Sequence, residues 1–245
     1  MGAFFQLNTD LLAQWAPRIA ILLLCLPVHE YAHALAANKL GDNTAAHQGR
    51  LTLNPFVHLD LIGSAMIMFA GFGWAKPVPV DTRVFRRPRR DMAMVAAAGP
   101  LANIIMATAI LAIVKIIVYT TGYGWIFAVE NVGTLQALFM FGTLASAATT
   151  EAIALVIFRD MIIINLMLAC FNLLPLPPLD GSKFFGALMP ERHYFGMMRY
   201  ERLAFPMLLL LMLTGVLGSV IRWLSIHAFS VIDLITLPID LILGG

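Results

Sequence analysis

Long uninterrupted apolar runs constrain the fold of this chain more than any other feature. A helix needs about 20 apolar residues to cross the hydrocarbon core of a bilayer. Apolar runs predict helices at about 17–40, 91–119, 134–157, 158–178 and 204–226, with a weaker run, interrupted by proline, at 228–243. The chain is 60% apolar and 12% charged, whereas soluble domains are about 45–50% apolar and about 25% charged. The sequence therefore predicts an all-α polytopic membrane protein with about five to six transmembrane helices.

The segment 41–80 between the first two predicted helices has a different character. The stretch "GRLTLNPFVHLDLIGS" alternates apolar and polar residues around Asn54-Pro55, which predicts a short strand and turn. Irregular backbone at membrane depth is tolerated only inside protein or beside water. We therefore expect a short membrane-embedded β or re-entrant segment here, with 62–75 dipping into the bilayer. The whole chain, 1–245, is interpreted as one domain with its core at 17–190 and accessory helices at 204–243.

The basic residues indicate an orientation. Five of the sixteen lysines and arginines lie in "RVFRRPRR", 83–90, and loops rich in Lys and Arg stay in the cytoplasm. We therefore expect 83–90 and 191–202 on the cytoplasmic side of a cell membrane, with the bacterial inner membrane as the expected location. This orientation places 29–33 in the cytoplasmic half of the first helix. The bilayer is the expected partner, and no nucleic acid is expected.

The first helix carries ionisable residues that need an explanation. In "LCLPVHEYAHALAANKL", 24–40, the residues His29, Glu30 and His33 form an H-E-x-x-H sequence, although ionisable groups in transmembrane helices are costly. Positions i and i+4 share one helix face, so His29 and His33 can bind a single zinc ion while Glu30 takes a proton from water. The alternative is a pair of hydrogen-bonded bundle histidines, which the cost of burial disfavours.

A catalytic zinc site needs three protein ligands and an open fourth position. Among the remaining acidic and histidine residues, Asp180 in "FNLLPLPPLDG" has the best setting, because prolines break the helix and can present a carboxylate to a buried site. The alternative is that this stretch only ends a helix. His58 and Asp60 form a rival pair, since His-x-Asp on a strand shares one face. Both adjoin a predicted turn, which favours local capping instead.

Five motifs, in this order, resemble one family. They are "HEYAH" in a first membrane helix, "GRLTLNP" followed by H-x-D, "GFGWAKPVPV", "AAAGPLAN" and "FNLLPLPPLDG". This set resembles the site-2 protease family of intramembrane zinc metalloproteases, in its compact prokaryotic branch without a PDZ domain. The resemblance covers roughly 20–190 and implies one Zn²⁺ per chain.

The resemblance implies roles for individual residues. His29, His33 and Asp180 match the zinc ligands, and Glu30 matches the catalytic acid and base. Asn172 matches a position implicated in substrate engagement, and Asn103 matches a polar position near the active site. Either amide could donate to an oxyanion or tie two helices together.

A helical substrate must unwind before it is cut, and its freed backbone groups then need partners. We expect the alternating stretch Gly49–Asn54 to provide them by strand addition, with Thr52 and Asn54 at the substrate.

The sequence thus predicts an intramembrane endopeptidase that hydrolyses membrane-spanning substrates by zinc-activated water. Since no regulatory domain is recognisable, substrate choice would rest on the membrane domain or on a separate regulatory or adaptor protein. One alternative is a catalytically silent homologue that binds or chaperones membrane proteins, which should lack Glu30 or a ligand. A transporter should show related halves, and none is apparent. The substrate, the cleavage site and the oligomeric state do not follow from the sequence.

Overall fold

The computed structural model describes Trp15, residues 18–121, residues 150–190, Arg192 and residues 201–243. This part of the chain is helical, with no strand and one isolated antiparallel bridge between Leu59 and Ala75. The helices are α1 (Arg18–Lys39), α2 (Thr44–His47), α3 (Leu61–Ala70), α4 (Pro88–Thr121), α5 (Thr150–Asn172), α6 (Asp180–Leu188), α7 (Glu201–Leu213) and α8 (Val216–Leu243). Within α1, Ile21–Cys25 form a π-helical turn and Leu26–Lys39 are α-helical.

Three of the described helices, α1, α4 and α8, are long and apolar enough to cross a membrane. This finding confirms an all-α membrane protein. The predicted helix at 134–157 falls largely within 122–149, outside the described residues. The number of crossings, predicted as five to six, therefore stays a prediction.

Helix α4 is the centre of the bundle, and it packs against α1, α5, α6 and α8. Its C-terminal half contributes Ala107, Leu111 and Val114 to the main core, where α5 adds Ile162 and Leu166. Its N-terminal half faces α1 and α6. Helix α4 thus contacts both α1 and α6, which are far apart in the sequence.

The helix boundaries correct the sequence prediction at two places. The expected break at 157/158 is wrong, because α5 continues through Arg159 and Asp160, whose side chains pair with each other at 2.8 Å. The expected break near 227 is also wrong, because the chain breaks at Gly215, which has a φ of 75°. Only glycine adopts this left-handed backbone at low cost. Helix α8 then runs past Pro238 without interruption.

A buried ionic cluster attaches α8 to α4, and its residues were not singled out from the sequence. Lys115 on α4 is 3% exposed, and its Nζ lies 2.8 Å from Asp233 Oδ1 and 2.6 Å from Asp240 Oδ2. The Tyr119 hydroxyl donates to Asp240 Oδ1 at 3.1 Å. Charges in apolar helices persist when they are paired, so the cluster fixes the register of α8 against α4.

The segment after α2 forms a short helix, α3, and the chain after α3 folds back along it. Helix α3 has 10 residues, about 15 Å at 1.5 Å per residue, which is too short to span a bilayer. Gly71, with a φ of 78°, reverses the chain. A Cβ on Gly63 would lie 2.1 Å from the Trp74 carbonyl oxygen, and one on Gly73 would lie 2.1 Å from the Gly63 oxygen. The return segment therefore lies directly on α3.

The expected strand at Gly49–Asn54 does not form. Gly49 has a φ of 67°, and Arg50 N donates to Ala45 O at 2.8 Å, which closes the end of α2. The Thr52 carbonyl accepts from His58 Nε2 at 2.7 Å. Helix capping and a buried histidine therefore use backbone groups that a strand edge would have left free.

Candidate metal centre

Two imidazoles from α1 and one carboxylate from α6 meet at the surface of α4. His29 and His33 are 3% and 7% exposed, as expected for buried residues one turn apart on one face. Their Nε2 atoms lie 3.2 Å and 3.1 Å from Asp180 Oδ2. All three ligand atoms lie within 4.8 Å of one another. Residues 151 positions apart in sequence thus form one cluster.

The hydrogen bonds of the two imidazoles leave the Nε2 atoms available. His29 Nδ1 donates to Asn103 Oδ1 at 2.6 Å, and His33 Nδ1 donates to the Val95 carbonyl at 2.7 Å. With the proton on Nδ1, each Nε2 is a lone-pair acceptor. Two such acceptors facing a carboxylate require a cation between them, unless the imidazoles take a second proton.

The donor set fits zinc. Two imidazole nitrogens and one carboxylate oxygen, with a fourth position open, are a known catalytic zinc arrangement. Zinc bonds of about 2.0–2.1 Å separate neighbouring ligands of a tetrahedral ion by about 3.3–3.4 Å. The spacings of 3.1 Å and 3.2 Å come close to this. The cluster therefore has the composition of a catalytic zinc site, and its two nitrogen–oxygen spacings come close to those that zinc requires.

Behind His29, two buried amides join three helices. Asn103 on α4 and Asn165 on α5 are both fully buried, and Asn103 Nδ2 donates to Asn165 Oδ1 at 2.7 Å. Asn165 Nδ2 in turn donates to Met161 O at 2.7 Å and contacts Cys25 Sγ at 3.3 Å. The network fixes which Asn103 atom faces His29. Asn165 was not singled out from the sequence, although an amide within the apolar run 161–171 was a usable signal.

Gly99 in "AAAGPLAN" gives the imidazoles their space. A Cβ at Gly99 would lie 2.4 Å from His33 Nε2 and 2.6 Å from His29 Nε2. The side chains that lie against this glycine are therefore the imidazoles of His29 and His33.

Glu30 is 9% exposed and lies beside the same cluster. Its Oε2 accepts from the Val78 N–H at 3.3 Å. The segment that carries Val78 is held by Arg50, whose guanidinium donates to Lys76 O at 2.6 Å and to Pro77 O at 3.0 Å. Arg50 is only 5% exposed. Sequence reasoning missed this arginine, and no pattern in the sequence links it to residues 76–77.

Asp180 is placed by a tight turn after α5. A Cβ on Gly181 would lie 2.3 Å from Leu174 O and 2.4 Å from Leu173 O, so this glycine lets α6 begin against the end of α5. The Ser182 hydroxyl donates to Leu179 O at 2.7 Å. The first residue of α6 is therefore fixed where it faces α1.

The other candidates lie elsewhere. Asn172 ends α5, and its Nδ2 donates to Leu168 O of the same helix at 3.0 Å. Thr52 Oγ1 accepts from Asn54 N, and Asn54 Oδ1 accepts from Phe56 N, both at 3.1 Å.

The rival pair is not part of the cluster. His58 is fully buried against the Thr52 carbonyl, and Asp60 caps α3 by accepting from Gly63 N at 2.8 Å. The local roles favoured for His58 and Asp60 from the sequence are what the structure shows.

Comparisons with known proteins agree with the motifs. The model of peptidase family M50 matches residues 17–215. The candidate zinc metalloprotease YwhC of Bacillus subtilis is 38% identical over 210 residues, which are 86% of this chain and 85% of YwhC. The candidate zinc metalloproteases Rip2 of Mycolicibacterium smegmatis and Mycobacterium tuberculosis are 30% and 31% identical over 71% of this chain.

The chain spans 56% of the length of each Rip2 protein. No solved structure matches the chain significantly. The family match covers most of the chain and includes α1, α4 and α6, which together form the cluster. The chain therefore belongs to peptidase family M50, the site-2 protease family that its motifs resemble.

Proposed function

We propose that this intramembrane zinc metalloprotease hydrolyses peptide bonds of membrane-spanning substrates, with His29, His33 and Asp180 as zinc ligands and Glu30 as the catalytic acid and base. One observation carries the proposal. Three acceptor atoms converge within 4.8 Å of one another inside apolar helices, and a glutamate stands next to them.

The residues divide the chemistry among them. Zinc supplies Lewis acidity, which lowers the pKa of a water molecule and polarises a carbonyl. Glu30 accepts the proton of the attacking water and returns it to the leaving amine nitrogen. The Val78 N–H orients one oxygen of Glu30, at 3.3 Å, and leaves the other oxygen for the water.

We assign Asn103 and Asn165 to the support of His29. Asn103 uses its oxygen on His29 and its nitrogen on Asn165, so it has little left to offer an oxyanion. A hydrogen bond to the second ring nitrogen fixes the tautomer and the orientation of a zinc-binding histidine. Asn172 remains a candidate for contact with the substrate. Thr52 and Asn54 bond to nearby backbone groups, so we interpret both as local capping residues and not as a strand edge for the substrate.

Several features support a site within the membrane that opens towards the cytoplasm. The partners of the imidazoles on α4, Val95, Gly99 and Asn103, lie roughly 10–22 Å along the helix from Pro88. The arginines of 83–90 would lie at the cytoplasmic surface. The hairpin of α3 and its return segment would dip into the same half of the bilayer, and the return segment leads to Val78 beside Glu30. We therefore propose multi-pass insertion in a bacterial inner membrane.

A catalytically silent homologue would be expected to lack Glu30 or one of the ligands. This chain keeps all four residues, and three of them form the cluster. Proteolysis is therefore the function that the geometry supports best.

The test combines cleavage with metal content. Purified wild type should bind zinc and cleave a candidate transmembrane substrate, and Glu30→Gln should bind zinc equally but cleave nothing. His33→Ala should lose both properties, and the matched variant His58→Ala should keep zinc. Cleavage by Glu30→Gln at the wild-type rate would remove Glu30 from the mechanism. Full zinc occupancy in Asp180→Ala would remove Asp180 from the ligand set.

A further inference from the structure

A cavity lies between the start of α4 and the end of α6, apart from the metal centre. Its volume is about 550 Å³, within the range of small-molecule sites. Arg87, Arg89 and Arg90 line one part of it, and Met94, Phe184 and Leu188 line another. None of the described lining residues is acidic. The cavity thus combines concentrated positive charge with an apolar wall.

Two of these arginines are available to a ligand. Arg89 is occupied, since its guanidinium donates to the carbonyls of Gly186 and Met189 and so attaches α6 to α4. Among the described residues, Arg87 and Arg90 have no side-chain hydrogen bond or ion pair, and both are exposed. The nearest acid, Asp91, accepts from the backbone nitrogen of Arg87 at 2.9 Å. Two guanidinium groups therefore face the cavity without an anionic partner in the part of the chain that the structure describes, and guanidinium binds phosphate through paired hydrogen bonds.

The apolar wall continues away from the arginines along one face of α4. Met94, Leu101 and Ile105 follow Arg90 at helical spacing, and they are 47%, 55% and 60% exposed. Met94 to Ile105 covers about 16 Å along the helix axis. A soluble phosphate would use the arginines but not this stripe. A molecule with a phosphate head and a long apolar chain would use both.

We propose that this cavity, formed by Arg87, Arg90, Met94, Phe184 and Leu188, binds an anionic phospholipid. The phosphate lies between Arg87 and Arg90, and one acyl chain follows Met94, Leu101 and Ile105 into the bilayer. Basic pockets at the cytoplasmic ends of transmembrane helices bind anionic head groups in this way. The site involves neither the zinc ligands nor Glu30, so it stands independently of the proposed proteolysis.

The test measures lipid binding by the full chain. Delipidated protein in detergent is titrated with phosphatidylglycerol that carries a fluorescent acyl chain, and with phosphatidylcholine of the same chains. Each basic residue near an anionic lipid contributes about fivefold in affinity, so Arg87→Gln/Arg90→Gln should weaken phosphatidylglycerol binding roughly 25-fold. Wild type should bind phosphatidylcholine much more weakly than phosphatidylglycerol.

A matched control removes the same charge from the same segment. Arg83→Gln/Arg86→Gln also loses two charges, but neither residue lines the cavity. Arg83 pairs instead with Asp81 at 2.7 Å, and the hydrogen bond lowers the pKa of Asp81 to about 2. The control should bind phosphatidylglycerol within about twofold of wild type, because the pocket contacts are intact. Equal losses in both double variants would mean diffuse attraction and would overturn the proposal.

Two further measurements keep the proposal open to refutation. If Arg87→Gln/Arg90→Gln does not fold, as judged by zinc content and helical circular dichroism, Leu188→Glu provides the test of the site. Leu188 is 76% exposed, so its substitution needs no repacking. It should repel the phosphate and weaken binding, and unchanged binding would refute the site. Glycerol phosphate should not compete at concentrations that match the lipid. Equal affinity for the soluble compound would indicate a phosphate site without a lipid.

Discussion

The substitution Gly99→Ala, which adds one methyl group, should weaken zinc binding without lowering the stability of the helix. A Cβ at Gly99 would lie 2.4 Å from His33 Nε2 and 2.6 Å from His29 Nε2. Ordinary contacts begin near 3.4 Å, so the two nitrogens would have to retreat by about 1.0 Å and 0.8 Å. Zinc ligand distances hold only within about 0.2 Å. In Gly99→Ala, the imidazoles can therefore no longer meet the geometry that the ion needs.

The imidazoles cannot retreat freely. Their Nδ1 atoms are held by Asn103 at 2.6 Å and by Val95 O at 2.7 Å, so a shift of nearly 1 Å breaks these bonds or displaces Nε2 from the site. Loss of such a support alone costs about 10- to 100-fold in metal affinity, and both ligands are affected here. We expect Gly99→Ala to weaken zinc binding at least 100-fold. Helix stability should not fall, because alanine favours a helix over glycine by about 1 kcal/mol.

Zinc affinity is measured by competition with a chromophoric chelator in detergent, alongside circular dichroism and thermal unfolding. Gly218→Ala is the matched control, because a Cβ at Gly218 meets nothing within 4 Å. It should keep the zinc affinity of wild type and gain the same helix preference. Wild-type zinc affinity in a folded Gly99→Ala protein would refute the placement of the imidazoles on this glycine.

Further variants test the supporting interactions. Asn165→Leu should weaken zinc binding about 10- to 100-fold, because Asn165 orients Asn103, the hydrogen-bond partner of His29. Asn172→Leu should leave zinc affinity unchanged, because the side-chain hydrogen bond of Asn172 stays within α5. Equal zinc affinities in the two variants would contradict the network. Lys115→Met should lower the free energy of unfolding by about 3–5 kcal/mol, since two largely buried carboxylates lose their cation. Chemical denaturation measures this loss, with Arg83→Gln as a neutral control. A cysteine at Thr82 should react with an impermeant thiol reagent only in opened membranes, and labelling in intact cells would reverse the proposed orientation.

Local patterns account for what sequence reasoning predicted well. The spacing of His29 and His33 is a property of a single helix turn, so it survives any packing of the bundle. The lengths of the apolar runs similarly predicted α1 and α4, because the bilayer sets them. Predictions failed where two tendencies competed locally. The alternation in Gly49–Asn54 favoured a strand, but Gly49 and Arg50 close a helix end instead.

The sequence by itself determined the membrane-embedded character of the protein, the pairing of His29 with His33 and the position of Glu30 beside them, because these depend only on composition and helical period. The proline-rich setting and the family resemblance named Asp180 as the third ligand, but only the tertiary structure brings this residue, 151 positions from His29, to α1. It also decided that Gly99 underlies both imidazoles and that Asn165 supports His29 through Asn103. These contacts join different helices, and only the packing of α1, α5 and α6 around α4 brings them within hydrogen-bond distance.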